Sequence, residues 1–376
     1  MRRIVFILST FIALPLYQAD VFGQSAVPRI KVSGDRFLAS DSGKTFTPWG
    51  FNYDRDSKYR LIEDYWAREW GKVERDFGEL HALGANVVRI YLQYHRFMDT
   101  PTSANEANLS RLKDLVSLAE SRGIYLDITG LGSFRPEDDP PWYVGLSEKD
   151  RWAAQATFWE AISEALADRP GVFAFNLMNE PIVSGERLAR GAWVHPDEIK
   201  GLHYIHYINL APDGRNRADI AVAWIREMKR AIRKHDGERL VTVGLFPLFG
   251  SPDATGFAPA RIAPEVDFIS VHLYPQAGRA HETVDLLKRY HVGFPVLIEE
   301  TFPLNSGIAD YQTFLEGSRR IAAGWKTCRS RLSRWLMRMT AVSQSPWRTS
   351  WMSPVPIDPA PCHDTQLIGS KSKLSC

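Results

Sequence analysis

The chain has 376 residues, 44% of them hydrophobic and 12% aromatic, enough for one large core. A formal charge of +2 leaves acids and bases nearly balanced, which disfavours a nucleic-acid partner that would need a basic stripe. Twelve Trp and 13 Tyr are in excess; such flat rings fill large cores and also line clefts that hold sugars.

Met1-Arg2-Arg3 followed by an uncharged apolar run from Ile4 to Leu16 reads as an export leader over 1–23, cleaved near Gly23/Gln24. The run is shorter than the roughly 20 apolar residues of a membrane span, so no stable membrane anchor is expected and the protein should be secreted or periplasmic. Residues 28–47 pattern as a short hairpin, with Asp41-Ser42-Gly43-Lys44 as its turn. Apolar runs at 47–53, 85–92, 124–129, 172–178, 240–246, 267–274 and 295–299 read as strands. Stretches with three- and four-residue apolar steps lie between and after them, at 65–83, 109–122, 150–168, 217–235, 282–290 and 308–323, and read as helices.

Such alternation implies βαβ units, a parallel sheet and the α/β class. No glycine fingerprint follows the first strand, so a closed (β/α)8 TIM barrel over 28–325 is favoured over an open doubly wound sheet. Residues 184–216 form an insertion after the fourth strand, expected to be an ordered loop over the barrel mouth. The eighth strand is due near Gly324-Trp325, but from Lys326 onward the composition changes. The stretch is rich in Ser, Arg, Trp and Pro, lacks Glu, and holds all three cysteines, Cys328, Cys362 and Cys376. The eighth strand and closing helix are therefore expected to be atypical or missing. Residues 326–376 are expected to form a tail foreign to the barrel, disordered or translated from a shifted frame.

Chemistry concentrates at two strand ends. Phe175-Asn176-Leu177-Met178-Asn179-Glu180-Pro181 is an apolar strand closed by a carboxylate and a proline that cannot extend the ladder. Pro295-Val296-Leu297-Ile298-Glu299-Glu300-Thr301-Phe302 is a second strand ending in carboxylates. In a parallel barrel these ends point into the active site. Strand alternation predicts that only one of Glu299 and Glu300 faces the mouth. Two carboxylates meeting over one cleft are what retaining glycoside cleavage requires, one giving a proton to the leaving oxygen and the other attacking the anomeric carbon. That chemistry needs no cofactor.

These motifs resemble glycoside hydrolase clan A, and most closely family 5, the cellulase family, over roughly residues 45–325. The resemblance implies Glu180 as acid/base and Glu300, the second of the tandem pair, as nucleophile. It also implies Arg89 on strand two as a brace for the nucleophile and Asn179 as a donor to a substrate hydroxyl. His272 and Tyr274 on strand six would line the catalytic subsite, the tyrosine touching the nucleophile, and Trp325 would stack under the sugar. The segment Thr301-Phe302 departs from the family pattern, where an aromatic residue then Gly is usual.

Weaker candidates are Asp127 near the end of strand three, His95 after strand two, and His203 with His206 at a spacing that could bind metal but with no supporting ligand run. Trp142, Trp193 and Phe249 are candidate sugar platforms. The expected function is that of a monomeric, secreted hydrolase cleaving β-linked glucan or mannan. A transglycosidase, or an inactive carbohydrate-binding barrel that has lost its C-terminal closure, is the alternative.

Overall fold

The computed structural model describes residues 27–324. Seven parallel strands form one sheet in chain order: β1 Gly50–Tyr53, β2 Val87–Gln93, β3 Tyr125–Gly132, β4 Val172–Asn179, β5 Leu240–Leu245, β6 Ile269–His272 and β7 Val296–Glu300. β2 to β5 are buried at every position, which explains their largely apolar character: helices cover one face and the barrel interior, where Arg89, Asp127, Asn176 and Asn179 are among the polar exceptions, the other. The helices between and after the strands are α1 Trp70–Ala82, α2 Glu106–Glu120, α3 Glu148–Leu166, α4 Arg217–Ile232, the single turn α5 Pro259–Ile262, α6 Ala280–Lys288 and α7 Ile308–Ser318, with further single turns at Ile62–Tyr65, Tyr94–Phe97 and Pro141–Val144. Three of them start where a short polar side chain accepts an otherwise unpaired amide. Asn105 caps α2 through Asn108, Ser147 caps α3 through Asp150, and Asn216 caps α4 through Ala218.

Between β7 and β1 the barrel closes on the chain itself. Ala323 N donates to Val296 O at 2.9 Å. A Cβ on Gly324 would come within 2.3 Å of Leu297 Cδ1 and 3.7 Å of Pro48 O, so the chain here enters the seam where an eighth strand belongs. Higher up, Asn52 Nδ2 bridges the same seam to Glu299 O at 3.2 Å. Trp325, the tail read over 326–376 and the leader expected over 1–23 lie outside the described residues.

The N-terminal hairpin is a three-stranded antiparallel sheet, Ile30–Ser33, Arg36–Ala39 and Thr45–Phe46, and it plugs the lower end of the barrel. Phe37 is fully buried there, its ring edge-on to Phe173 and Phe268 at 5.2 Å each. Val87, Tyr125, Leu240 and Leu297, at or beside the starts of their strands, complete the same cluster.

Several boundaries differ from the sequence reading. The run 47–53 is strand only over Gly50–Tyr53; Thr45–Phe46, within the hairpin read over 28–47, joins the plug, and Pro48 between the two has no N–H for a ladder. The helix read from 65 starts at Trp70, after a separate turn Ile62–Tyr65. Strand six stops at His272, which leaves Tyr274 beyond its end. In the insertion, His206–Tyr207 pairs in parallel with Pro181–Ile182 directly after Glu180. Among the described residues no helix is long and apolar enough to cross a membrane.

Candidate active site

Inward-facing residues of the strands stack in layers. Along β2, Val87 belongs to the apolar plug, while Arg89 and Tyr91, two and four residues on, reach polar partners inside the barrel. β7 repeats the scheme from Leu297 in the plug to Glu299. Here the expected alternation fails. Val271 pairs with Ile298 but His272 pairs with Glu300, so β7 carries one extra residue, a bulge. Both tandem glutamates consequently turn inward: Glu299 below, with a side chain 2% exposed, and Glu300 at the mouth, 15% exposed.

Glu300 is held at both oxygens. Oε1 accepts from Arg89 Nη1 at 2.6 Å and from Tyr91 OH at 2.9 Å; Oε2 accepts from Tyr274 OH at 2.5 Å. Burial by itself would raise its pKa, but the charges of His272 and Arg89 and the two tyrosine hydroxyls outweigh that and bring it to about 2. Arg89 also donates to Thr129 Oγ1 at 2.7 Å and to Asn179 Oδ1 at 3.0 Å, which fixes the guanidinium fork.

Glu180 sits just past β4 with φ of 44°, a left-handed backbone uncommon for a residue with a side chain. Its N–H donates to Gly244 O at 3.0 Å, and Pro181 is anchored by the pairing with His206. Its Oε1 lies 2.8 Å from His272 Nδ1. Burial raises the Glu180 carboxyl above its ordinary value, and the negative charge of Glu300 adds to this against the opposing pull of His272. His272 is buried, which disfavours its charge, yet Glu300, Glu180 and Glu299 together raise it to about 9. Gly244 makes room for this arrangement: a Cβ there would approach Arg89 Nη2 to 3.0 Å and His272 Nε2 to 3.1 Å.

One ligating atom each of Glu180, His272 and Glu300 lie within 4.8 Å of one another. Arg89 and a protonated His272 already supply two positive charges at this point, so the cluster is electrostatically unsuited to a divalent cation. Glu180 is the group biased to hold a proton and Glu300 the one biased to lose it.

The profile described as Cellulase (glycosyl hydrolase family 5) matches residues 42–302, which contain every one of these groups. The chain belongs to glycosyl hydrolase family 5. Relatives of this family-5 chain include a protein named probable mannan endo-1,4-beta-mannosidase F of Emericella nidulans. It is 24% identical over 273 residues, covering 67% of this chain and 58% of that relative. Similar solved structures include an exo-beta-1,4-mannosidase from Opitutaceae bacterium strain TAV5, with TM-score 0.59 and 20% identity over 78% of this chain and 53% of that one. A beta-1,4-mannanase from the sea hare Aplysia kurodai gives TM-score 0.58 and 15% identity over 86% and 99%. The fold is thus that of the family-5 (β/α)8 barrels. The chain spans 58% of the length of the first of these relatives and 53% of the exo-mannosidase.

The remaining sequence candidates disperse. Asn179 is buried, with Oδ1 on Arg89 and Nδ2 donating to Tyr204 O at 2.9 Å, which leaves one amide hydrogen for a ligand. Trp193 is 1% exposed, donates to Val144 O and carries the Arg151 guanidinium over its ring; it is a core residue and not a sugar platform. Trp142 is partly buried against Tyr94 and Tyr143, while Phe249, after β5, is 69% exposed. His203 contacts His195 O, His206 is buried against Phe134, and the His95 ring lies 3.9 Å from Asp138 and from Asp139.

Sequence reasoning missed Tyr91, although its place two residues beyond Arg89 on one strand face could have shown it. Asp54 and Tyr204, which lie close enough to Glu300 to feel its charge, were also missed. They come from a loop and from the insertion, where no periodicity marks direction.

Proposed function

We propose that this protein is a retaining β-glycosidase acting on β-linked mannan or manno-oligosaccharide. One observation carries the reading: a buried carboxyl biased to keep its proton, Glu180, and a carboxylate biased to stay ionised, Glu300, have oxygens within 4.8 Å of each other. Retaining enzymes need their carboxyl groups about 5–5.5 Å apart, whereas inverting ones leave about 6.5–9.5 Å for a water.

In the first step a Glu300 oxygen attacks the anomeric carbon while Glu180 gives its proton to the departing glycosidic oxygen. The Arg89, Tyr91 and Tyr274 bonds hold the nucleophile in one rotamer, so little reorganisation precedes attack. In the second step Glu180, now ionised, takes a proton from water. The hydroxide oxygen bonds to the anomeric carbon and Glu300 leaves, giving net retention. His272, hydrogen-bonded to Glu180, steadies the carboxylate between the steps. The mannan assignment is supported by the names of the relatives. Export is supported by the leader over 1–23, with Gln24 as the expected first residue of the mature chain.

The test is to incubate the protein with an activated 2-deoxy-2-fluoro-β-mannoside and locate the adduct by peptide mass spectrometry. Sugar release from mannan and glucan is measured alongside, with and without Glu300→Gln. An adduct on Glu300 and release from mannan are expected. An adduct elsewhere overturns the nucleophile. A folded protein that binds mannan, forms no adduct and releases no sugar points to the binding barrel.

A further inference from the structure

Beneath the two carboxylates lies a second acidic pair that the proposed reaction does not use. The β7 bulge turns Glu299 into the barrel, where its Oε2 accepts from Asn176 Nδ2 at 2.7 Å. The same oxygen lies 3.5 Å from Arg89 Nε and 3.6 Å from His272 Nε2. On β3, Asp127 is 1% exposed and stands beside Arg89 in the strand register. The two carboxyl groups are close enough for each to act on the other's charge. Asp127 Oδ1 and Glu299 Oε1 are both buried, and no N–H or hydroxyl donor reaches either.

A carboxylate oxygen can only accept, so two neighbouring buried oxygens that no donor reaches are satisfied by a proton held between the groups, and two buried like charges side by side are strongly disfavoured. We infer that Asp127 and Glu299 share one proton, carried on Asp127, and that Asp127 is the positioning residue that leaves Glu299 as the single anion beneath Arg89 and His272. This rests on the catalytic reading given above and extends it to the layer below.

The charges around the pair support the assignment. The groups facing it are Arg89 from β2, Asn176 from β4, His272 from β6 and, one residue on, Glu300. With Arg89 and His272 cationic, Glu299 and Glu300 anionic, and Asp127 and Glu180 protonated, the cluster is neutral. Ionising Asp127 would leave a net negative charge in a dry site and draw the proton back. Burial, with Glu299 beside it, moves Asp127 well above the ordinary carboxyl range; Glu299, though also buried, is brought below its ordinary value by Arg89 and His272. The consequence for the chemistry is that Glu299 keeps both Arg89 and His272 charged and aimed upward, Arg89 at Glu300 and His272 at Glu180.

The proton can be observed without turnover. Infrared difference spectra of the intact protein at mildly alkaline pH, parent minus Asp127→Asn, should show the C=O stretch of a protonated carboxyl. The band should survive in a Glu180→Gln background and vanish in Glu299→Gln, where Asp127 ionises and accepts from the new amide. An Asp127 band that is absent, or that persists in Glu299→Gln, overturns the shared proton. The positioning role is read separately. Asp127→Asn, whose amide still donates to Glu299, should keep kcat on an aryl β-mannoside within about 3-fold and retain its pH profile, while Asp127→Ala lowers kcat about 10-fold or more at similar KM. Equal damage from both variants, in chains that still melt cooperatively, overturns the positioning role. A protein inactive in every form but showing the Asp127 band would leave the proton assigned and remove the glycosidase reading.

Discussion

The same strands do opposite work at their two ends. At the lower end Phe37, Phe173, Phe268, Val87, Leu240 and Leu297 make an apolar plug. Above it, Arg89, Asp127, Asn176, His272 and Glu299 crowd ionisable and amide groups into nearly dry surroundings, with Glu300 at the mouth 15% exposed. The plug gains free energy from removing apolar surface from water, at about 25 cal/mol per Å2. The upper layers gain little, because desolvating each charge costs about what its partners return. The lower end therefore holds the barrel together, and the upper end spends part of that stability on a preorganised site.

The sharpest way to break this division is Glu300→Gln. Turnover should fall by roughly 10^5-fold, with the thermal midpoint moving only a few degrees; a collapse of the fold instead would make the charge network structural. Phe37→Ala is the converse. It should cost about 3–5 kcal/mol in denaturant titration while kcat per folded molecule stays unchanged. A large loss of kcat in folded protein would mean that the plug sets the geometry of the mouth. Tyr274→Phe removes one bond to the Glu300 carboxylate and should lower kcat about 10- to 100-fold with little change in midpoint.

The two ends should also respond differently to pH. Glu300 has a depressed folded pKa, so the stability it contributes is present above the ordinary carboxylate range and is lost as pH falls toward about 2. His272 is raised to about 9, so its contribution is complete below the ordinary imidazole value and is lost as pH rises through about 9. In urea titrations across pH, Phe37→Ala should lower the whole curve without changing its shape, whereas Glu300→Gln should flatten the acid side. Activity should rise as Glu300 ionises near pH 2 and fall as Glu180 loses its proton above the usual carboxyl range. An alkaline limb at an ordinary glutamate value would refute the acid assignment. The smallest effect is expected at Phe249→Ala, an exposed ring belonging to neither end, where stability should stay within about 0.5 kcal/mol.

The sequence by itself determined the alternation of elements, because parallel strands buried on both faces must be apolar along their length and helices between them must carry one apolar stripe. It also marked Glu180 and the Glu299-Glu300 pair, since a carboxylate ending an apolar strand points to a site, while Arg89, His272, Tyr274 and the choice of Glu300 within the pair came from the resemblance to family 5. Only the tertiary structure decided that Glu299 turns inward beside Glu300, because a bulge is a mismatch between two strands and neither strand records it alone. The same holds for the Asp127 partnership, for Tyr204 arriving from the insertion, and for Trp193 being core: each depends on which distant segment lies opposite, and that is fixed by closure of the barrel and not by any local pattern.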